Sequence, residues 1–250
     1  MKIAISGKGG VGKTTILALL AVGLRRHGRE VLVIDADPSP HMAATLGFAD
    51  VSAITPVAEM KELLKERSGK EEGSPFYQLN PRVDDLLARF MVHKEGIHLM
   101  VVGAIATGGG GCACAENTVL RRLTTRLLLS PSQVVLLDME AGVEHLGRGT
   151  VAGVDHLLVV VIPTQSSVRT GLRIQELARQ VGIPRISFVG NQVAGPEDEA
   201  FLATALGAPP AAAFPDAAAI RQAERRRTPI DTVAADHAAA TDALIAHLLA

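Results

Sequence analysis

The chain has 250 residues, a formal net charge of −1, 48% apolar and 3% aromatic residues, and two cysteines. Balanced charge gives no general attraction to nucleic acid or to an anionic membrane, and with no Trp and a single Tyr there is little from which to build base-stacking platforms. The length allows one large α/β domain or two small ones, and no apolar run is long enough to span a bilayer.

Taken in order, Lys2 to Ser6 reads as a short buried strand, not as a charged start followed by a long apolar run, so a cytoplasmic protein with reduced cysteines is expected. Gly7-Lys8-Gly9-Gly10-Val11-Gly12-Lys13-Thr14-Thr15 follows and fits the P-loop pattern, Gly, four residues, then Gly-Lys-[Ser/Thr]. Glycines let successive backbone N–H groups turn inward as an anion nest. Lys13 places a charge on the terminal phosphates of a nucleotide, and the Thr14 hydroxyl is placed to ligate Mg²⁺. Gly9, Gly10, Val11, Gly12, Lys13, Thr14 and Thr15 are therefore the candidate phosphate-binding residues. Ile16 to Arg26 reads as a helix with Ile16, Leu19, Leu20, Gly23 and Leu24 on one face, and its positive dipole end aims at the same phosphates.

Glu30 to Ile34 reads as a strand ending at Asp35, with Asp35-Ala36-Asp37-Pro38 at its carboxyl end, where ligands gather in open α/β sheets. Asp35 is expected to support Mg²⁺ through water. Residues from about 51 to 95 read as a partly helical insertion within a single domain spanning 1–250, with helices near Met60 to Arg67 and within Pro81 to Phe90. Ile97 to Val102 reads as a strand. Four glycines, Gly108 to Gly111, precede Cys112-Ala113-Cys114, and Glu116 to Leu129 reads as a helix. Gln133 to Leu137 reads as a strand closing on Asp138, with Gly142 four residues on. This is a Walker B element, its carboxylate holding Mg²⁺ and the Gly142 N–H sensing the γ-phosphate.

His156 to Ile162, a helix over Ser167 to Val181, and Pro184 to Val189 ending near Asn191 continue the alternation. Helices over Pro196 to Leu206, Ala217 to Arg227 and Ala234 to Leu249 complete it. The Ala-rich tract 211–219 reads as compositional. Strands alternating with helices predict an α/β fold with a doubly wound, mostly parallel sheet.

Both cysteines fall within three residues of one another. Thiolates at i and i+2 can grip one soft ion such as Zn²⁺ or Ni²⁺, and two of them leave a four-coordinate site half filled. A symmetric dimer bringing two such loops together would supply four.

The stretch from Lys8 to Thr14 resembles the deviant Walker A ATPases, whose pattern is K-G-G-x-G-K-[T/S]. The resemblance implies a P-loop NTPase of the SIMIBI class. It also implies that Lys8 crosses a dimer interface to the partner's nucleotide, and that Asp37 orients or deprotonates the attacking water. Asn191 would then hydrogen-bond adenine, with Pro215 in a second base-side loop. Ser39-Pro40 and Gln192 depart from many relatives, and no guanine-reading Asn-Lys-x-Asp is present, which favours ATP over GTP.

Cys112 to Asn117, Asp138 to Gly149, Ile54-Thr55-Pro56 and Thr170-Gly171-Leu172 are similar to the carbon monoxide dehydrogenase maturation ATPases (CooC type). That resemblance implies a homodimer that hydrolyses Mg-ATP and binds Ni²⁺, or Zn²⁺ in its place, through Cys112 and Cys114 of both subunits, with nickel-dependent carbon monoxide dehydrogenase as client. No nucleic-acid or membrane partner is expected. Two other classes compete. A spatial-organisation ATPase of the septum-site or partition kind would need a basic tail or stripe, and Ala234 to Ala250 has no Lys or Arg. An iron–sulfur carrier would have its cluster cysteines far apart in sequence.

Overall fold

The computed structural model describes residues 1–37, 41–69, 78, 82–103, 119, 122, 133–139 and 153–250. Cys112, Cys114, Gly142, Ser39, Pro40 and most of the helix expected over Glu116 to Leu129 lie outside the described residues.

Among the described residues, eight strands form one sheet: β1 (Lys2–Gly7), β2 (Glu30–Ala36), β3 (Val92–Lys94), β4 (Ile97–Val101), β5 (Gln133–Met139), β6 (His156–Val161), β7 (Arg185–Val193) and β8 (Ala212–Pro215). Their order across the sheet is β3-β4-β2-β5-β1-β6-β7-β8. Neighbours run parallel except β3 with β4, which are antiparallel. The central strands β1 and β6 are buried along their whole length. This is why they read as continuous apolar runs: a parallel strand covered on both faces has no solvent side to alternate toward.

The helices lie on the two faces. They are α1 (Lys13–Arg26), α2 (Met42–Thr45), α3 (Lys61–Ser68), α4 (Asp84–Phe90), α5 (Gln165–Gln180), α6 (Pro196–Leu206), α7 (Ala218–Arg226) and α8 (Ala238–Leu249). One core gathers Ile3, Ile5, Val33, Leu136, Leu158 and Val189 with α1 and α8. The other gathers Ala4, Ile34, Leu137, Val159 and Val161 with α5 and α6. Odd and even positions of the same strands feed opposite cores, as the pleat requires.

Helix α1 is more deeply enclosed than its single apolar face predicts. Leu17, Ala18, Ala21 and Val22 are buried along with the expected residues, because α8 covers the side turned away from the sheet. Thr164 caps α5: its Oγ1 accepts from Ser167 N at 3.3 Å, and Ser167 Oγ accepts from Ile162 N at 3.0 Å. The helix therefore starts at Gln165, two residues before the apolar periodicity begins.

Two strands depart from the sequence expectation. The tract 211–219 contains β8, where Phe214 is buried, so it is not merely compositional. Strand β3 lies inside the stretch expected as an insertion and extends the sheet by a hairpin whose turn, Glu95-Gly96, has both residues at positive φ. Among the described residues, no helix is long and apolar enough to cross a membrane.

Candidate functional site

The carboxyl ends of β1, β2 and β5 meet at one rim of the sheet. Asp138 is in register with Ile5 of β1 and with Asp35 of β2. The glycine-rich loop leaves β1 at this rim and returns into α1. Gly10 and Gly12 have φ of 80° and 87°, and Gly12 stands directly before α1. A Cβ on Gly12 would lie 2.4 Å from Asn191 Nδ2, so both its conformation and its close approach require glycine.

Lys13 is buried within the first turn of α1, while Gly9 and Gly10 are exposed; Val11 is buried, and Thr14 and Thr15 are half-buried. Thr14 Oγ1 donates to Asp138 Oδ2 at 2.7 Å. The other carboxylate oxygen of Asp138 is buried with no hydrogen-bond partner among the described residues. Burial pushes the Asp138 carboxyl up to about 7; Asp35 and Asp37 add to the rise, while the Thr14 hydrogen bond and the Lys13 charge oppose it. An orphaned acceptor in a buried carboxylate is costly unless a cation or donor meets it. A hydroxyl and a carboxylate set side by side beneath a phosphate nest fit the oxygen ligands that Mg²⁺ takes. The site's own residues thus suit that ion.

Asp35 is fully buried and its carboxyl is raised, chiefly by burial, against the opposing hydrogen bonds from Met42 and Asp37. Its Oδ1 accepts from Asp37 N at 3.2 Å and its Oδ2 from Met42 N at 3.0 Å. One carboxylate therefore ties both ends of the loop that carries Asp37 at the rim. Sequence reasoning had only the Asp-x-Asp spacing and could not foresee this tie, which depends on the start of α2.

Asn191, near the end of β7, reaches the P-loop itself: Nδ2 donates to Val11 O at 2.8 Å in a buried contact. Pro215 ends β8 in register with Val193. Lys8 Nζ donates to Ser166 Oγ at 3.0 Å on the surface, within the same chain. No spacing rule links residues 8 and 166, and Ser166 has no motif to announce it. Among the described residues, no three His, Cys, Asp or Glu side chains converge as a metal-holding group, and Cys112, Cys114 and Gly142 lie outside them.

A nucleotide-binding loop between a central parallel strand and a buried helix, facing a buried strand-end carboxylate, defines the P-loop ATPase class. The chain belongs to the CobQ/CobB/MinD/ParA nucleotide binding domain family, whose model matches residues 2–211. It is 43% identical over 206 residues to the carbon monoxide dehydrogenase accessory protein CooC of Rhodospirillum rubrum, covering 81% of this chain and 78% of that protein. It is 40% identical over 201 residues to an uncharacterized ATP-binding protein of Methanocaldococcus jannaschii, covering 80% of this chain and 77% of the relative. Its fold is similar to the MinD cell division protein of Aquifex aeolicus, with a TM-score of 0.68 at 21% identity, covering 99% of this chain and 96% of the other. It is also similar to a ParA family ATPase of Chlorobium tepidum, with a TM-score of 0.69 at 18% identity, covering 96% and 95%.

Proposed function

We propose that this chain is a metallochaperone-type ATPase that serves the maturation of carbon monoxide dehydrogenase. The observation that carries the reading is the 43% identity to the CooC accessory protein over most of both chains. The paired Thr14 and Asp138, set under the glycine loop, support its ATPase half.

In this reading the reaction is hydrolysis of ATP to ADP and phosphate. Backbone N–H groups of Gly9 to Thr15 cradle the phosphates, Lys13 neutralises charge on the β- and γ-phosphates, and the Gly142 N–H senses the γ-phosphate. Thr14 and Asp138 would hold Mg²⁺ with Asp35 behind them through water, and the ion would neutralise phosphate oxygens as charge builds. Asp37 holds the attacking water in line and accepts its proton. Lys8 reaches the nucleotide of a second subunit in a homodimer, and Asn191 and Pro215 bound the base side.

The cargo is Ni²⁺, with Zn²⁺ able to take its place, held by Cys112 and Cys114 of both subunits as four thiolates. ATP binding changes the dimer contact and with it the shared metal site, which couples the two ligands only if metal affinity differs between nucleotide states. The protein acts as a single cytoplasmic ATPase domain, without nucleic-acid or membrane partners.

The test is an anaerobic titration of Ni²⁺ and Zn²⁺ into the purified chain with mass measured in solution, beside a Cys112→Ser/Cys114→Ser variant. One metal per two chains, lost in the variant, is expected. Binding that survives the double substitution, or metal affinity unchanged by ATP, overturns the metallochaperone reading.

A further inference from the structure

Four of the chain's eight histidines meet at helix α8. His237 directly precedes the helix, His247 lies in its last turn, His156 lies beneath it at the start of β6, and His27 closes α1 alongside it. The helix rests on α1 and β8. Its approach to α1 is close: a Cβ on Gly23 would stand 2.5 Å from Thr241 Cγ2 and 3.0 Å from Ile245 Cδ1. Thr241, Leu244, Ile245 and Leu248 are its buried residues. The helix forms no ladder with the sheet, so it can leave while the strand pairings stay intact.

The polar groups at this contact suit neutral rings. His156 Nε2 and His247 Nε2 each lie 2.8 Å from Ser187 Oγ, and the ring centroids are 5.8 Å apart. With both rings neutral, the hydroxyl donates to one Nε2 and accepts from the other, and the chain closes. With both rings protonated, each can only donate, and two cations face each other beside Arg185 of β7. His156 is 2% exposed, and its Nδ1 has no partner among the described residues. His237 is 1% exposed and stacks on Phe214 with centroids 6.4 Å apart. Neither of its ring nitrogens has a partner among the described residues, nor has Thr241 Oγ1 one helical turn on. A buried ring with no acceptor for an added proton resists protonation.

Burial is the chief cause in both rings. It lowers His156 to about 4, with the charges of Arg185 and His247 adding to the fall, and it lowers His237 against the opposing charge of Asp236. Asp155, next to His156 in the chain, is turned to Lys2 N at 2.7 Å. The exposed His27–Asp242 pair, at 3.0 Å, gains when its ring is protonated, but an exposed pair contributes little. We propose that α8 is a pH-released element, which acid undocks from α1 and the sheet while the strands stay paired. The buried rings must be neutral in the docked state. Their contribution is therefore present above the ordinary 6.5 and lost as pH falls toward 4. Solvating His156 alone on release makes the open form about twentyfold more populated, relative to the docked form, at about pH 5 than at about pH 7.

The experiment is hydrogen exchange read by mass spectrometry on the full chain without nucleotide, at about pH 7 and about pH 5, corrected for intrinsic exchange. Wild type is compared with His156→Gln and His247→Ala. In wild type the opening equilibrium of the α8 amides should rise about twentyfold on acidification, while the α5 amides on the opposite face keep their protection. His156→Gln should remove most of that rise. His247→Ala takes away the facing ring but leaves the buried one, so it should keep a smaller rise. Should His156→Gln prove unfolded at neutral pH by circular dichroism, His247→Ala carries the comparison. Equal protection of α8 at the two pH values, loss of protection in α5 and α8 together, or a full pH response in every folded variant overturns the inference.

Discussion

Replacing Asp138 by Asn removes a buried charge of the site while keeping an acceptor for Thr14 Oγ1. Burial holds this carboxyl at about 7 against an ordinary 3.8. A carboxyl raised in this way favours the folded state most at low pH. That contribution is lost as pH rises through the folded value, because the unfolded chain gives up its proton first. One pH unit within that window corresponds to about 1.4 kcal/mol, so between about pH 5 and about pH 8 wild type should lose roughly 2–3 kcal/mol relative to the Asn variant. For a chain of this size that widens the difference in Tm by roughly 5–10 °C in the variant's favour. The assay is thermal unfolding of both proteins in EDTA without nucleotide, across that pH range. Adding Mg-ATP at pH 8 should then raise the Tm of wild type and leave the variant nearly unmoved. A Tm difference that stays constant with pH would refute the premise that Asp138 is the group whose charge the fold opposes.

Gly12→Ala places a Cβ 2.4 Å from Asn191 Nδ2 at a φ of 87°, so it should abolish measurable ATP binding in calorimetry. Gly171→Ala puts a Cβ 2.7 Å from Val161 Cγ1 and 3.2 Å from Phe188. Overpacking α5 against the sheet in this way should destabilise the fold by about 1–3 kcal/mol in urea unfolding, with ATP affinity retained. Burial lowers His156 to about 4, assisted by the charges of Arg185 and His247. A folded value below the ordinary 6.5 means stability that is present above 6.5 and lost as pH falls toward 4. His156→Gln should flatten the acid limb of the stability profile.

The motif residues and the sheet they sit on were legible because both are local signals. A Gly-rich run between a strand and a helix needs only its own spacing, and strands covered on both faces announce themselves as apolar runs. What stayed hidden depends on pairs far apart in sequence. Phe214 sits in an alanine-rich tract and becomes a strand only because β7 offers it an edge. Val92 to Lys94 is three residues long, too short for periodicity, and its hairpin with β4 sets its fate. The contact of Asn191 with Val11 spans 180 residues and is created by the loop's close approach at Gly12. Between the pairs Gly190–Ala213 and Val193–Pro215, β7 carries one residue more than β8, and such a bulge cannot be read from β7 alone, since it is a mismatch between two strands.

Asp35 shows how the sheet turns such long-range placement into a site. Register fixes it opposite Asp138, so the strand that carries the loop of Asp37 and the strand that carries the Thr14 partner cannot slide relative to each other without breaking the ladder between β2 and β5. The two oxygens of Asp35 then hold Asp37 N and Met42 N. Both anchored backbone positions thus stay fixed relative to Asp138. Asp37 is itself one of the anchors, so the place of its backbone relative to the Thr14–Asp138 pair is set by the sheet. In the proposed reaction, where Asp37 would hold a water in line with a phosphate, a backbone fixed in this way sets the position from which it acts.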